Sequence, residues 1–150
     1  MKRIMFVCHG NICRSPMAEF IMKDMVSRSG MAKQFVIASC ATSSEEIFAG
    51  VGNPVYPRAR AVLARHGLSC EGKRATLLRR DDYDKYDAFL CMDSANVAST
   101  LRIFSADPQN KVGRLLDRDI SDPWYTGRFD AAYRDIYAGC ESLFERLKQQ

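Results

Sequence analysis

The chain has 150 residues, with 22 lysines and arginines against 18 aspartates and glutamates, a formal +4. That length suits one domain, and the charge is too weak for a dedicated nucleic-acid binder. Hydrophobic residues at 47% and charged residues at 27% exclude a disordered chain.

The first apolar run, Ile4 to Cys8, reads as a strand beginning at Arg3 and is cut by His9 and Gly10. It is shorter than a secretory signal core of roughly 7–15 residues or a membrane span of about 20. The expected compartment is therefore the cytoplasm, with no membrane insertion. From Met17 the apolar positions Met17, Phe20, Ile21 and Met25 share one helical face, and Gly30 is the expected stop. Phe35 to Ala38 reads as a strand covered on both faces. Residues 41–55 lack periodicity and read as a loop. Ala59, Val62, Leu63 and His66 mark a second helix ended by Gly67. Residues 87–92 give a third strand, 94–104 a third helix, and Val112, Leu115 and Leu116 a fourth strand. Phe129, Ala132, Tyr133, Ile136, Cys140, Leu143, Phe144 and Leu147 keep a 3-4 spacing, the signature of a long amphipathic helix. Strand and helix alternate in the rhythm of a single α/β domain with a parallel sheet.

The six cysteines include no Cys-x2-Cys, and His9 and His66 are too far apart for a zinc template, so no metal site is expected. Cys40, Cys70, Cys91 and Cys140 have apolar neighbours and read as small core residues.

Cys8 and Cys13 belong instead to Cys8-His9-Gly10-Asn11-Ile12-Cys13-Arg14-Ser15-Pro16, where a buried strand turns into a helix. In an α/β sheet that crevice is where ligands bind. Ser15 is placed to cap the helix and Pro16 to occupy its first position. The free amides and the helix dipole favour an anion, and Gly10 and Asn11 tolerate the positive φ that curls a short loop inward. Cys8 at the base of such a cradle, beside Arg14, has the surroundings that stabilise a thiolate. Arg14 offers a planar fork for two phosphoryl oxygens. Together they point to phosphoryl transfer through a cysteinyl-phosphate. A lone Cys-x5-Arg is common by chance; its position between strand and helix gives it weight. Far downstream, Asp122-Pro123-Trp124-Tyr125 supplies a carboxyl that can protonate a leaving phenol and two rings that can wall a substrate.

These two segments resemble the low-molecular-weight protein tyrosine phosphatases. The resemblance extends to Ala38-Ser39, Ala41-Thr42-Ser43, Gly52-Asn53-Pro54, Arg65-His66-Gly67 and Cys91-Met92-Asp93, and so covers nearly the whole chain. It implies a three-layer α/β domain over residues 1–150, a twisted four-stranded parallel sheet with helices on both faces, and no organic cofactor. Carried over by position, it makes Cys8 the nucleophile, Arg14 the phosphate clamp and Asp122 the general acid and later base. Residues His9 to Ser15 would hold the phosphate, Ser15 would ease departure of the sulfur, and Asn11, Ser39 and His66 would brace the loop. Read from the residues themselves, Ile12, Trp124 and Tyr125 form an apolar groove for a substrate ring, and Cys13, five residues from Cys8 on one curled loop, is either a packing residue or the thiol that traps an oxidised Cys8 as a disulfide. Phosphotyrosine proteins are the implied partners, inorganic phosphate the product or inhibitor, and a monomer the implied state.

Three departures bear on substrate. Glu45 stands where many relatives carry a groove aromatic, residues 47–51 look inserted with Phe48 a candidate replacement wall, and residues 117–121 are short. Two sister activities compete. Arsenate reduction needs a downstream cysteine relay, and Ala98 stands seven positions after Cys91 where a partner would be. Protein-arginine phosphatases carry threonine at the position of Ile12, whose apolar side chain suits a phenyl ring better. A redox-sensing or phosphate-binding module would keep the cradle without needing Asp122.

Overall fold

The computed structural model describes residues 1–150. Strand β1, Lys2–Cys8, is the hub of the sheet. Parallel to it lie β2, Phe35–Ala41, on one side and β5, Ala88–Cys91, on the other, with β6, Val112–Arg114, beyond. The order is β2-β1-β5-β6. Between β2 and β5 a small antiparallel hairpin joins β3, Ile47–Phe48, to β4, Val51–Gly52.

Alternation along β1 divides the core. Ile4, Phe6 and Cys8 face helices α1, Arg14–Arg28, α2, Pro57–Arg65, and α5, Phe129–Leu147, in a cluster of 26 buried residues. Met5 and Val7 face away, joining Phe89, Cys91 and Phe104 of helix α3, Ser94–Phe104, in a cluster of seven. Helices thus cover both faces, as a parallel sheet requires. A four-residue helix α4, Pro123–Thr126, precedes α5. No helix is long and apolar enough to cross a membrane.

Several boundaries differ from the sequence expectation. Helix α1 starts at Arg14, three residues before the first apolar-periodic position, because the first turn is built from the loop residues themselves. Strand β6 stops at Arg114, and Leu115 turns inward under α5. Gly139 permits that contact, since a Cβ there would fall 2.6 Å from Leu115 Cγ. The hairpin inside the expected 41–55 loop gave no periodic signal because its strands are two residues long. Ala49 at φ 50° and Gly50 at φ 79° make its turn, the positive-φ pair that two-residue hairpins favour.

Candidate active site

At the carboxyl end of β1 the chain turns through Asn11, held at φ 60°, and enters α1. The turn closes on the sulfur of Cys8. The Asn11 amide donates to Cys8 Sγ at 3.3 Å, and Ser15 Oγ lies 2.9 Å from the same sulfur. The amides of Ile12, Cys13, Arg14 and Ser15 make no hydrogen bond within the protein. A helix start with free amides attracts an anion.

Ser15 does not cap α1, contrary to expectation. Cys13 holds the cap position without a side-chain bond, and Ser15 and Pro16 are the second and third helical residues. The physical reason is that the Ser15 hydroxyl is engaged on the inner side, by Cys8 and by Asn11 Nδ2 at 2.8 Å. Pro16 is still tolerated, because first-turn amides lack intrahelical partners anyway.

Arg14 is almost wholly buried. Its Nη1 donates to Asp93 Oδ2 and to the Ile120 carbonyl, both at 2.7 Å, while Nη2 approaches Asp122 Oδ2 at 3.5 Å. Burial opposes its charge, but the Cys8 sulfur and the carboxylates of Asp93 and Asp122 outweigh that cost and hold the guanidinium above its ordinary value. The planar fork is therefore fixed between the Cys8 loop and the segment carrying Asp122.

The loop is braced from behind. Asn11 Nδ2 donates to Ser39 Oγ at 2.9 Å, and its Oδ1 accepts from the Thr76 amide at 3.0 Å. Ser39 Oγ donates in turn to the buried Glu19 at 2.6 Å, and Lys73 Nζ donates to the Ser39 carbonyl at 2.9 Å. Asn11 and Ser39 thus occupy the expected bracing positions. His66 does not. It is exposed at the end of α2, its ring stacked on Tyr133 with centroids 3.9 Å apart. The flat face of Tyr133 holds it on the α5 side, and Glu19, Lys73 and Thr76 complete the network instead.

A pocket of about 110 Å³ opens over Cys8, walled by Ile12, Glu45, Glu46, Asp122, Trp124 and Tyr125. His9 and Gly10 line it as well, and His9 Nε2 donates to Glu45 Oε2 at 3.0 Å. The Glu45 wall is acidic, as its position implied. Phe48 does not replace it: the hairpin carries that ring outward, 64% exposed and outside the pocket lining. Asp122 caps α4, its Oδ1 accepting from the Trp124 amide at 3.0 Å. Cys13 is buried under the loop, and burial, reinforced by the nearby Cys8 sulfur, pushes its thiol up to about 12.

Sequence reasoning assigned no role to Glu19, Lys73, Thr76, Tyr56 or Arg58. Only Glu19 left a signal: it follows Ser15 by four residues, which puts a carboxylate on the inner face of α1.

A parallel α/β sheet whose first strand ends in a loop of free amides, closed around a cysteine sulfur and backed by a buried arginine, has the features of a phosphate-binding site. The sequence profile of the low molecular weight phosphotyrosine protein phosphatases matches residues 3–150. The chain is 32% identical over 157 residues to the Bacillus subtilis low molecular weight protein-tyrosine-phosphatase YfkJ, covering all of this chain and 98% of that protein. It is 31% identical to the Sus scrofa low molecular weight phosphotyrosine protein phosphatase, covering 98% of this chain and 96% of that one. The crystal structure of YfkJ superposes with a TM-score of 0.93 over 99% of this chain and 96% of that one. The Streptococcus pyogenes enzyme, 34% identical, gives 0.89 over 98% and 93%. The chain belongs to the low molecular weight phosphotyrosine protein phosphatase family. It is a protein-tyrosine phosphatase, a phosphoric monoester hydrolase.

Proposed function

We propose that the whole chain acts as one phosphatase domain that hydrolyses phosphotyrosine in proteins, and small aryl phosphates, through a phosphorylated Cys8. The loop amides and Arg14 hold the non-bridging oxygens. Cys8 Sγ, as thiolate, attacks phosphorus in line and forms the S–P bond as the P–O bond to the phenol breaks. Asp122 gives its proton to the departing phenolate oxygen. In the second step the Asp122 carboxylate takes a proton from water while the water oxygen attacks phosphorus. The S–P bond breaks, inorganic phosphate leaves, and the Ser15 hydroxyl stabilises the returning thiolate.

The observation that carries this reading is convergence. Cys8, Arg14 and Asp122 come from opposite ends of the chain, yet they line one pocket, with Arg14 Nη2 3.5 Å from the acid. The two oxygens of Asp122 have separate surroundings. Oδ1 is held by the Trp124 amide, and Oδ2 faces Arg14. Ile12, Trp124 and Tyr125 present apolar surface to a phenyl ring, and inorganic phosphate acts as product or inhibitor. Cys8→Ser tests the assignment: it is expected to abolish para-nitrophenyl phosphate turnover while retaining the fold and phosphate binding. Substantial residual turnover overturns it.

A further inference from the structure

A helix of four residues has no stability of its own, because nucleation costs more than its few hydrogen bonds return. Helix α4 is such a helix, and Asp122 is its cap. Contacts from elsewhere in the chain must therefore fix the position of the acid. Arg14 supplies one of those contacts, to Asp122 Oδ2, and the segment at the start of α2 supplies others.

Tyr56 touches both halves of the site. Its amide donates to the Ile12 carbonyl of the nucleophile loop at 2.9 Å. Its ring meets Trp124 edge-on with centroids 4.8 Å apart, and stacks on Phe129 at 5.9 Å. Trp124 in turn fixes Asp122 Oδ1 through its amide. Two residues on, Arg58 Nη2 donates to the Gly127 carbonyl at 2.9 Å, and the guanidinium lies 4.6 Å over the Phe129 ring. Gly127 is the left-handed residue that ends α4. Pro57, first in α2, locks the backbone beside Tyr56. The hydroxyl of Tyr56 makes no hydrogen bond to the protein, so the flat ring is the working part. Trp124 is half exposed, and Tyr56 is the aromatic ring it meets.

We infer that Tyr56 is a positioning residue for the general acid: it braces Trp124 against the nucleophile loop and so sets where Asp122 meets the leaving oxygen. The inference rests on the proposed role of Asp122. Tyr56 touches no reacting atom, and its effect passes through the Trp124 backbone.

A displaced acid harms poor leaving groups and spares those that need no proton. The test is kcat/KM, which reports the step that expels the phenol, across aryl phosphates from phosphotyrosine to 2,4-dinitrophenyl phosphate. Asp122→Ala provides the reference, with a loss that grows as the leaving phenol becomes less acidic. Tyr56→Ala and Tyr56→Leu should show the same trend at reduced amplitude. The expected loss is about 10–100-fold on phosphotyrosine, the range a displacement of about 1 Å produces, and under about 3-fold on the dinitrophenyl ester. Tyr56→Phe, which keeps the ring, should restore the wild-type dependence. The Leu variant guards against misfolding in the Ala variant, and thermal unfolding is followed for each. A uniform loss across the series in both the Ala and Leu variants, with Asp122→Ala still selective, overturns the positioning role and leaves the mechanism intact. A flat series for Asp122→Ala overturns the acid assignment itself.

Discussion

Replacing Asn11 with alanine should cost the loop heavily, because one small side chain serves three partners. Its amide nitrogen donates to Ser15 at 2.8 Å and Ser39 at 2.9 Å, and its oxygen accepts from the Thr76 amide at 3.0 Å. The residue is 1% exposed, so water cannot readily take over these bonds. Each lost bond costs about 1 kcal/mol net. The backbone adds to this: alanine at φ 60° loses the tolerance that asparagine has for the left-handed region, about 1 kcal/mol more. The total is about 4 kcal/mol, which lowers Tm by roughly 10 °C in a domain of this size. Asn11→Asp separates shape from donor chemistry, since it keeps the volume and the acceptor for Thr76. Its carboxylate faces Ser39, whose proton is committed to Glu19, and it adds negative charge to an anion cradle. The assay is thermal unfolding followed by circular dichroism, with and without inorganic phosphate. Wild type should gain Tm with phosphate by mass action. Asn11→Ala should start about 10 °C lower, and Asn11→Asp should show little phosphate-induced gain. An Asn11→Ala protein within about 3 °C of wild type, with the full phosphate response, would refute the bracing role.

Selectivity should follow Ile12, which lines the pocket beside Trp124 and Tyr125. Phosphotyrosine is expected to be cleaved faster than phosphoserine or phosphoarginine, with Ile12→Thr raising phosphoarginine relative to phosphotyrosine; a wild-type preference for phosphoarginine reverses the assignment. Peroxide is expected to convert Cys8 to a sulfenic acid, which Cys13 thiolate then attacks to form the disulfide and release hydroxide. Since the Cys13 thiol is pushed up to about 12, its thiolate fraction rises about tenfold per pH unit between pH 7 and 9, and disulfide closure in rapid-mixing experiments should accelerate with it. A rate independent of pH, or full thiol-driven recovery in Cys13→Ser after oxidation, would leave Cys13 a packing residue.

What the sequence made legible was what is contiguous. Cys8 to Pro16 carries its chemistry on consecutive residues, so strand, turn and helix could be placed without knowing any distant contact. Even there the cap was misplaced, because Ser15 follows the demand of the Cys8 sulfur rather than the usual preference for a serine cap. The long helix α5 was equally open to reading, since its periodicity extends over 19 residues. The hairpin at 47–52 was hidden for the opposite reason: two-residue strands have no period to detect.

The bracing network lay beyond sequence reasoning because it depends on register. Parallel pairing sets Phe6 opposite Ser39 and Cys8 opposite Ala41, which places the Ser39 hydroxyl on the α1 face behind the loop. A slip of one residue would turn Ser39 to the opposite face and present Ala38 or Cys40 instead. No local pattern in residues 35–41 reveals that register; it emerges only when Phe35 and Ile37 fill the larger core cluster. His66 and Glu19 show the same dependence from two sides. His66 stands in a motif that implied a bracing role, yet the packing of α2 against α5 stacks it on Tyr133. Glu19 stands in an ordinary helical run, yet α1 packs against β2 and delivers its carboxylate to Ser39. The Cys8 loop is thus encoded by neighbours in sequence and its rigidity by neighbours across the sheet, so substitutions at Ser39 or Glu19 should loosen the loop without altering any residue that lines the pocket over Cys8.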